Sequence, residues 1–173
     1  MSFTSGALLF RESLTVAQRF DELQDWDFVR EAVIDGNLLQ MRTQNASKRI
    51  FHEVASRLKQ LTAAELDLLL TGSRQEQQQL LWLAICKRYR FIYDFAVEVI
   101  REKFLRLDFE LTYDDYDVFF NNKAEWHPEV AGVAESTRKK LRQVVFKMLR
   151  EVNFLSPEGQ ILPALPTARE IAV

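Results

Sequence analysis

Between Glu135 and Val152 the apolar residues Leu141, Val144, Val145, Met148, Leu149 and Val152 recur at intervals of three and four. That spacing lines one side of an α-helix, and no strand can use it, because strand side chains alternate with a period of two. The polar positions in between carry Arg138, Lys139, Lys140, Arg142, Lys147 and Arg150, with no acid from Ser136 to Arg150. Core packing accounts for the apolar stripe but not for charge of one sign. A basic first turn also opposes the helix dipole. An anionic partner is therefore expected on this face, with double-stranded DNA the leading candidate. Ser136 or Thr137 is placed to cap the helix start.

The same helical period runs through most of the chain, and five glycines and four prolines in 173 residues leave few places to break it. Helices are expected over 10–23, 25–35, 43–60, 62–70 and 73–88, then over about 91–106 and from Thr112 onward. Gly36-Asn37 supplies a helix stop, since both residues tolerate the left-handed conformation. Thr62 with Glu65 and Ser73 with Glu76 have the spacing of capping boxes. The fold class that follows is all-α: a compact helical domain over residues 1–162 with an extended tail over 163–173. Two segments, near 25–60 and 112–152, read as helix-turn-helix-like units in which an acidic helix, a turn and a basic helix follow one another. Asn153 to Leu162, with its Pro-Glu-Gly turn, reads as a small β-hairpin wing.

A net charge of −2 means that any nucleic-acid surface must be local. The single cysteine, Cys86, excludes an internal disulfide and a cysteine-based zinc site, and fits a reducing cytoplasm. The N-terminus lacks the basic region of a signal peptide. The most apolar run, Leu80 to Cys86, is far short of the roughly 20 residues a membrane span needs. A cytoplasmic protein with no membrane association is the expectation.

Catalytic chemistry finds no foothold. His52 and His127 lie in separate segments, Cys86 sits in an apolar run, and no glycine-rich phosphate loop is present. Asp114, Asp115 and Asp117 fall in a first helical turn or near it, where the dipole favours acids, and no matching metal ligands accompany them. No catalytic residue, no metal and no cofactor are expected. DNA contacts are assigned to Lys48, Arg49 and His52 on the earlier basic helix and to the later one. There Lys139, Lys140 and Gln143 would meet bases or phosphates, while Arg138, Arg142 and Lys147 hold the flanking backbone. The rival reading is an adaptor whose basic helices dock on acidic protein surfaces.

Three blocks of sequence carry a resemblance. Gly6-Ala-Leu-Leu with Glu12-Ser13, Asn37-Leu-Leu-Gln with Arg42, and Glu129-Val-Ala-Gly132 followed by Glu135-Ser-Thr-Arg-Lys-Lys-Leu-Arg-Gln-Val-Val-Phe146 resemble the BrxA proteins of bacteriophage exclusion (BREX) systems. The likeness covers roughly Gly6 to Leu155, and its last block is the most specific. It implies a small, all-helical cytoplasmic component of a phage-defence system that marks host DNA by adenine methylation and blocks phage replication. It also implies helix-turn-helix elements and DNA binding, with no established catalytic residues; in the adaptor reading the partners would be other BREX proteins.

Overall fold

The computed structural model describes residues 6–173, so the first residues of the N-terminus, read above for a signal peptide, lie outside the described part. Among the described residues the regular structure is helical, with two isolated antiparallel bridges. The all-α class expected from the periodicity is the observed one. No helix among these residues is long and apolar enough to cross a membrane. The chain divides into two compact units. The first comprises Leu8–Arg88 together with Pro166–Val173, and the second is built mainly from Tyr89–Leu165.

In the first unit, α1 (Phe10–Leu23), α2 (Trp26–Asp35), α3 (Gln44–Leu58), α4 (Ala63–Thr71) and α5 (Arg74–Arg88) are each bounded by local chemistry. The Asp25 carboxylate accepts from the Asp27 and Phe28 backbone N–H groups and starts α2. Asn37, at φ 45°, takes the left-handed conformation that ends it, while Gly36 itself remains right-handed. Thr43 caps α3, and the Thr62/Glu65 and Ser73/Glu76 pairs form the reciprocal bonds of capping boxes. Val16, Val29, Val33, Val54, Leu58, Leu69 and Ile85 are buried, which gives each helix one apolar face against its neighbours. α3 is buried more widely than its stripe of Ile50, Val54, Leu58 and the following Leu61 suggests. Ser47, Phe51, Glu53 and Arg57 are also enclosed. Glu53 and Arg57 neutralise each other one helical turn apart at 2.7 Å, and the Arg57 Nη1 reaches the Leu8 carbonyl at 3.4 Å.

The tail differs from the expected extended segment. Residues 163–166 have no regular structure, but Ala168–Ala172 form a short helix, α11, capped by Thr167 and Glu170. The Thr167 hydroxyl donates to Glu76 at 2.8 Å and Arg169 donates to the Thr71 hydroxyl at 3.0 Å, so the segment docks where α4 ends and α5 begins.

In the second unit a continuous helical stretch runs through α6 (Arg90–Phe95), a π-helical segment (Ala96–Arg101) and α7 (Glu102–Leu105). α8 (Tyr113–Trp126), the single turn α9 (Pro128–Ala131) and α10 (Glu135–Glu151) follow. Phe91 and Phe95 meet Tyr116 and Phe119 edge-on or tilted, with ring centroids 5.1 to 6.1 Å apart, and these rings form the junction of α6 with α8. On α10, Leu141, Val144, Val145, Met148 and Leu149 are all buried, as the spacing requires, and Phe146 joins them. Its start departs from expectation: α10 begins at Glu135 after Ala134, and neither Ser136 nor Thr137 caps it.

The hairpin after α10 is present in reduced form. Leu155 bridges Ile161, the Leu162 N–H donates to the Phe154 carbonyl, and Gly159 turns at φ 93°. Gln160 also bridges Glu110, which ties the hairpin to the segment before α8.

Trp82 is buried on α5, so Trp82→Ala should cost about 3–5 kcal/mol, read as a lower urea midpoint at unchanged m-value. Charge inside the first unit sets its pH dependence. Burial opposes the charge of Glu65, but the Lys87 ammonium at 2.6 Å and the Thr62 N–H outweigh it and hold its carboxyl below the usual range. A lowered carboxyl contributes stability that is present above its unfolded pKa and is lost as pH falls through the folded value. Glu65→Gln should therefore flatten the fall in urea midpoint below about pH 4.5 relative to the parent.

Candidate nucleic-acid interface

The two basic helices present very different faces. On α3, Lys48, Arg49 and His52 are exposed on successive turns, and Lys59 just beyond the helix end is exposed as well. Lys59 lies over the Trp26 ring at 5.1 Å, and Trp26 in turn stacks on Phe20 at 4.2 Å. The only carboxylate of α3 is Glu53, and it is turned inward to Arg57. Lys48, Arg49 and His52 thus face solvent with no ion-pair partner among the described residues, which leaves the charge of Lys48 and Arg49 and the donors of all three available to a ligand. Arg42 precedes the helix and is likewise exposed.

α10 is more heavily compensated. Arg138 and Arg142, expected on the DNA backbone, both turn back onto α8. The Arg138 Nε donates to the Asp117 carboxylate at 3.3 Å, its Nη2 to the Asp117 carbonyl at 3.0 Å and its Nη1 to Asn121 at 2.7 Å. Arg142 donates to the other Asp117 carboxylate oxygen. The two guanidinium groups also lie over aromatic rings, Arg138 over Phe120 at 4.6 Å and Arg142 over Tyr113 at 4.3 Å. Both side chains are consequently half-buried. Their charge closes an internal contact and is not displayed. Lys139 pairs with Glu135 at 2.7 Å and Lys147 with Glu151 at 3.7 Å, in both cases one turn away and in solvent. Such exposed pairs add little to stability and exchange readily for another anion. The Lys139 ammonium holds the Glu135 carboxyl below its ordinary range. Lys140 and Gln143 are exposed, with no partner among the described residues, and Arg150 lies 5.9 Å from the Phe146 ring.

The turns also differ from a standard helix-turn-helix. α2 and α3 are separated by residues 36–43, longer than the roughly three- or four-residue turn of that motif. In the second unit a three-residue link, Gly132 to Ala134, does lead into α10, but the preceding α9 is one turn long. The reduced hairpin follows α10 directly.

Every exposed cation on both helices is legible in the sequence. Asp117 is not: its role is invisible there because its two partners lie 21 and 25 residues away on another helix. Arg57, a charged residue inside the core, also escapes notice. A signal for it existed, since Glu53 and Arg57 are spaced to meet on the inward side of α3.

Known proteins resemble this chain in sequence and in fold. The model of the BrxA family matches residues 1–172. The BREX protein BrxA of Escherichia coli O9:H4 (strain HS) is 27% identical over 161 residues, spanning 92% of this chain and 76% of that protein. The BREX protein BrxA of Bacillus cereus (strain H3081.97) is 31% identical over 155 residues, spanning 87% and 76% respectively. A crystal structure of an uncharacterized protein from Magnetospirillum magneticum has the same fold, with a TM-score of 0.83 at 24% identity over 98% of this chain and 87% of that one. A family match running almost end to end, with the Bacillus relative above 30% identity, makes this chain a member of the BrxA family.

Proposed function

We propose that this chain is a non-enzymatic component of a BREX phage-defence system that binds double-stranded DNA through its basic helices. The face of α3 carries this reading: Lys48, Arg49 and His52 stand exposed while the helix's one carboxylate is buried against Arg57. Exposed cations without partners are what a polyanion rewards, since each phosphate neutralised releases condensed counterions. α10 contributes Lys139, Lys140, Gln143 and Lys147 as a second contact surface, with Arg138 and Arg142 holding the helix in place. The Escherichia and Bacillus relatives carry BREX in their own names, which supports the assignment to that system.

The candidate nucleophiles support the non-enzymatic part. Burial pushes the Cys86 thiol up to about 12, so it stays protonated at neutral pH and is a poor nucleophile. His52 and His127 belong to different units. An adaptor role, with the basic helices docked on other BREX proteins, uses the same charges and is separated from DNA binding by titration against purified duplex.

Fluorescence anisotropy with a labelled duplex at two salt concentrations is the test. Lys48→Ala with Arg49→Ala should weaken binding at least about tenfold and make the slope of log affinity against log salt shallower by about 0.9 for each phosphate no longer neutralised. A double variant that stays folded and binds like the parent would refute the α3 face. Lys139→Ala with Lys140→Ala should weaken binding as well and leave the melting temperature nearly unchanged, because neither side chain lies on the buried stripe. Parent protein that binds no duplex at low salt would leave only the adaptor.

A further inference from the structure

The exposed side of α3 carries more than charge. Asn45, Lys48, Arg49 and His52 fall within a sector about 100° wide on the helix surface. Gln44 lies one turn ahead of Lys48, as Asn45 lies one turn ahead of Arg49, and all five residues are exposed. Two planar amides therefore lead into two cations along one helix.

Neither amide serves the fold. Thr43 supplies the cap of α3, accepting from the Ala46 N–H at 3.2 Å. The Gln44 and Asn45 side chains have no hydrogen-bond partner among the described residues, so each keeps two N–H donors and a carbonyl acceptor for a ligand. The first turn of α3 contains no acid, and the inward Glu53 leaves the exposed side without one. α10 opens differently. Glu135 stands in its first turn and pairs with Lys139, while Arg138 is turned onto Asp117. Its opening residues are engaged within the unit, and the Glu135 carboxylate repels a polyanion brought to that end.

Amides and cations read different parts of a duplex. Lysine and arginine on phosphates hold a protein anywhere along DNA, whereas an asparagine or glutamine amide matches the N6 donor and N7 acceptor of adenine in the major groove. Residues in the opening turns of a helix laid in that groove reach base edges. From Asn45 to His52 the helix advances about 10 Å at about 1.5 Å per residue, the length of about three base pairs. Resting on duplex DNA as the ligand of α3, we infer that its binding is sequence-selective and that Asn45 and Gln44 make the selection. Each amide donates to N7 of an adenine and accepts from its N6 amino group. Lys48 and Arg49 supply the charge that holds the helix in place, and α10 adds contacts blind to sequence.

The test begins with the full chain and a pool of duplexes randomised over a central segment, from which bound molecules are recovered and sequenced. A motif containing adenine should emerge, and the selected duplex should bind at least about tenfold tighter than a scrambled duplex of the same composition. Gln44→Ala with Asn45→Ala should bring that ratio to within about twofold of unity. The same variant should keep the parent's affinity for the scrambled duplex and its salt slope, because no phosphate contact is lost. Alanine favours the helix at both positions, so the fold is retained. Lys48→Ala should instead weaken both duplexes alike and make the slope shallower. Replacing the selected adenines by 7-deazaadenine removes the N7 acceptor with the protein unaltered. That exchange should cost the parent at least about fivefold and the double-alanine variant less than about twofold. Binding by the parent with no enriched motif, or a motif that the double-alanine variant selects equally well, would overturn the inference and leave the DNA reading standing. A parent that binds no duplex at low salt removes both.

Discussion

The Asp117 carboxylate decides what α10 can be. One anion on α8 receives two guanidinium groups from successive turns of the basic helix, and aromatic rings beneath each guanidinium complete the contact. Planar guanidinium suits this arrangement, since it can accept a ring on its face while donating from its edge. The helix is held to its neighbour by charge as well as by its apolar stripe. The same contact withdraws two of six cations from solvent and leaves the remaining positive charge on Lys139, Lys140, Lys147 and Arg150. A helix that is uniformly basic in sequence is therefore basic on one face only.

α3 reaches a free basic face by the opposite route. Its carboxylate is sequestered with an arginine inside the unit, and its surface cations stay clear of it. A buried ion pair is a poor source of net stability, because desolvating two charges consumes most of the attraction between them. What the Glu53–Arg57 pair supplies is orientation. Neither member can be turned to solvent without stranding the other, so the helix has one rotation about its axis, and that rotation directs Lys48, Arg49 and His52 outward.

The helices themselves are legible in the chain because periodicity and caps are local. Thr43, Thr62, Ser73 and Thr112 each mark a start that the structure contains, and the Leu141-to-Leu149 stripe is buried throughout. Ser136 and Thr137 mislead because a hydroxyl near a helix start is permissive, and Ala134 already has the extended ψ that precedes the first turn. The tail misleads because Thr167 and Glu170 make a capping box whose worth depends on Glu76, 91 residues earlier. The basic faces are legible as composition but not as display, since partners for Arg138 and Arg142 come from the tertiary fold.

The first unit is discontinuous in sequence: Pro166–Val173 return to it after Tyr89–Leu165 have intervened. On a ribosome this imposes an order of events. At roughly 5–20 residues per second, several seconds separate the emergence of α5 from that of α11. Through that interval Thr71 and Glu76 wait without Arg169 and Thr167. Closure of the first unit thus signals that the second has been made, and a nascent chain stalled between them carries an α4–α5 junction open to any hydroxyl or cation that reaches it first.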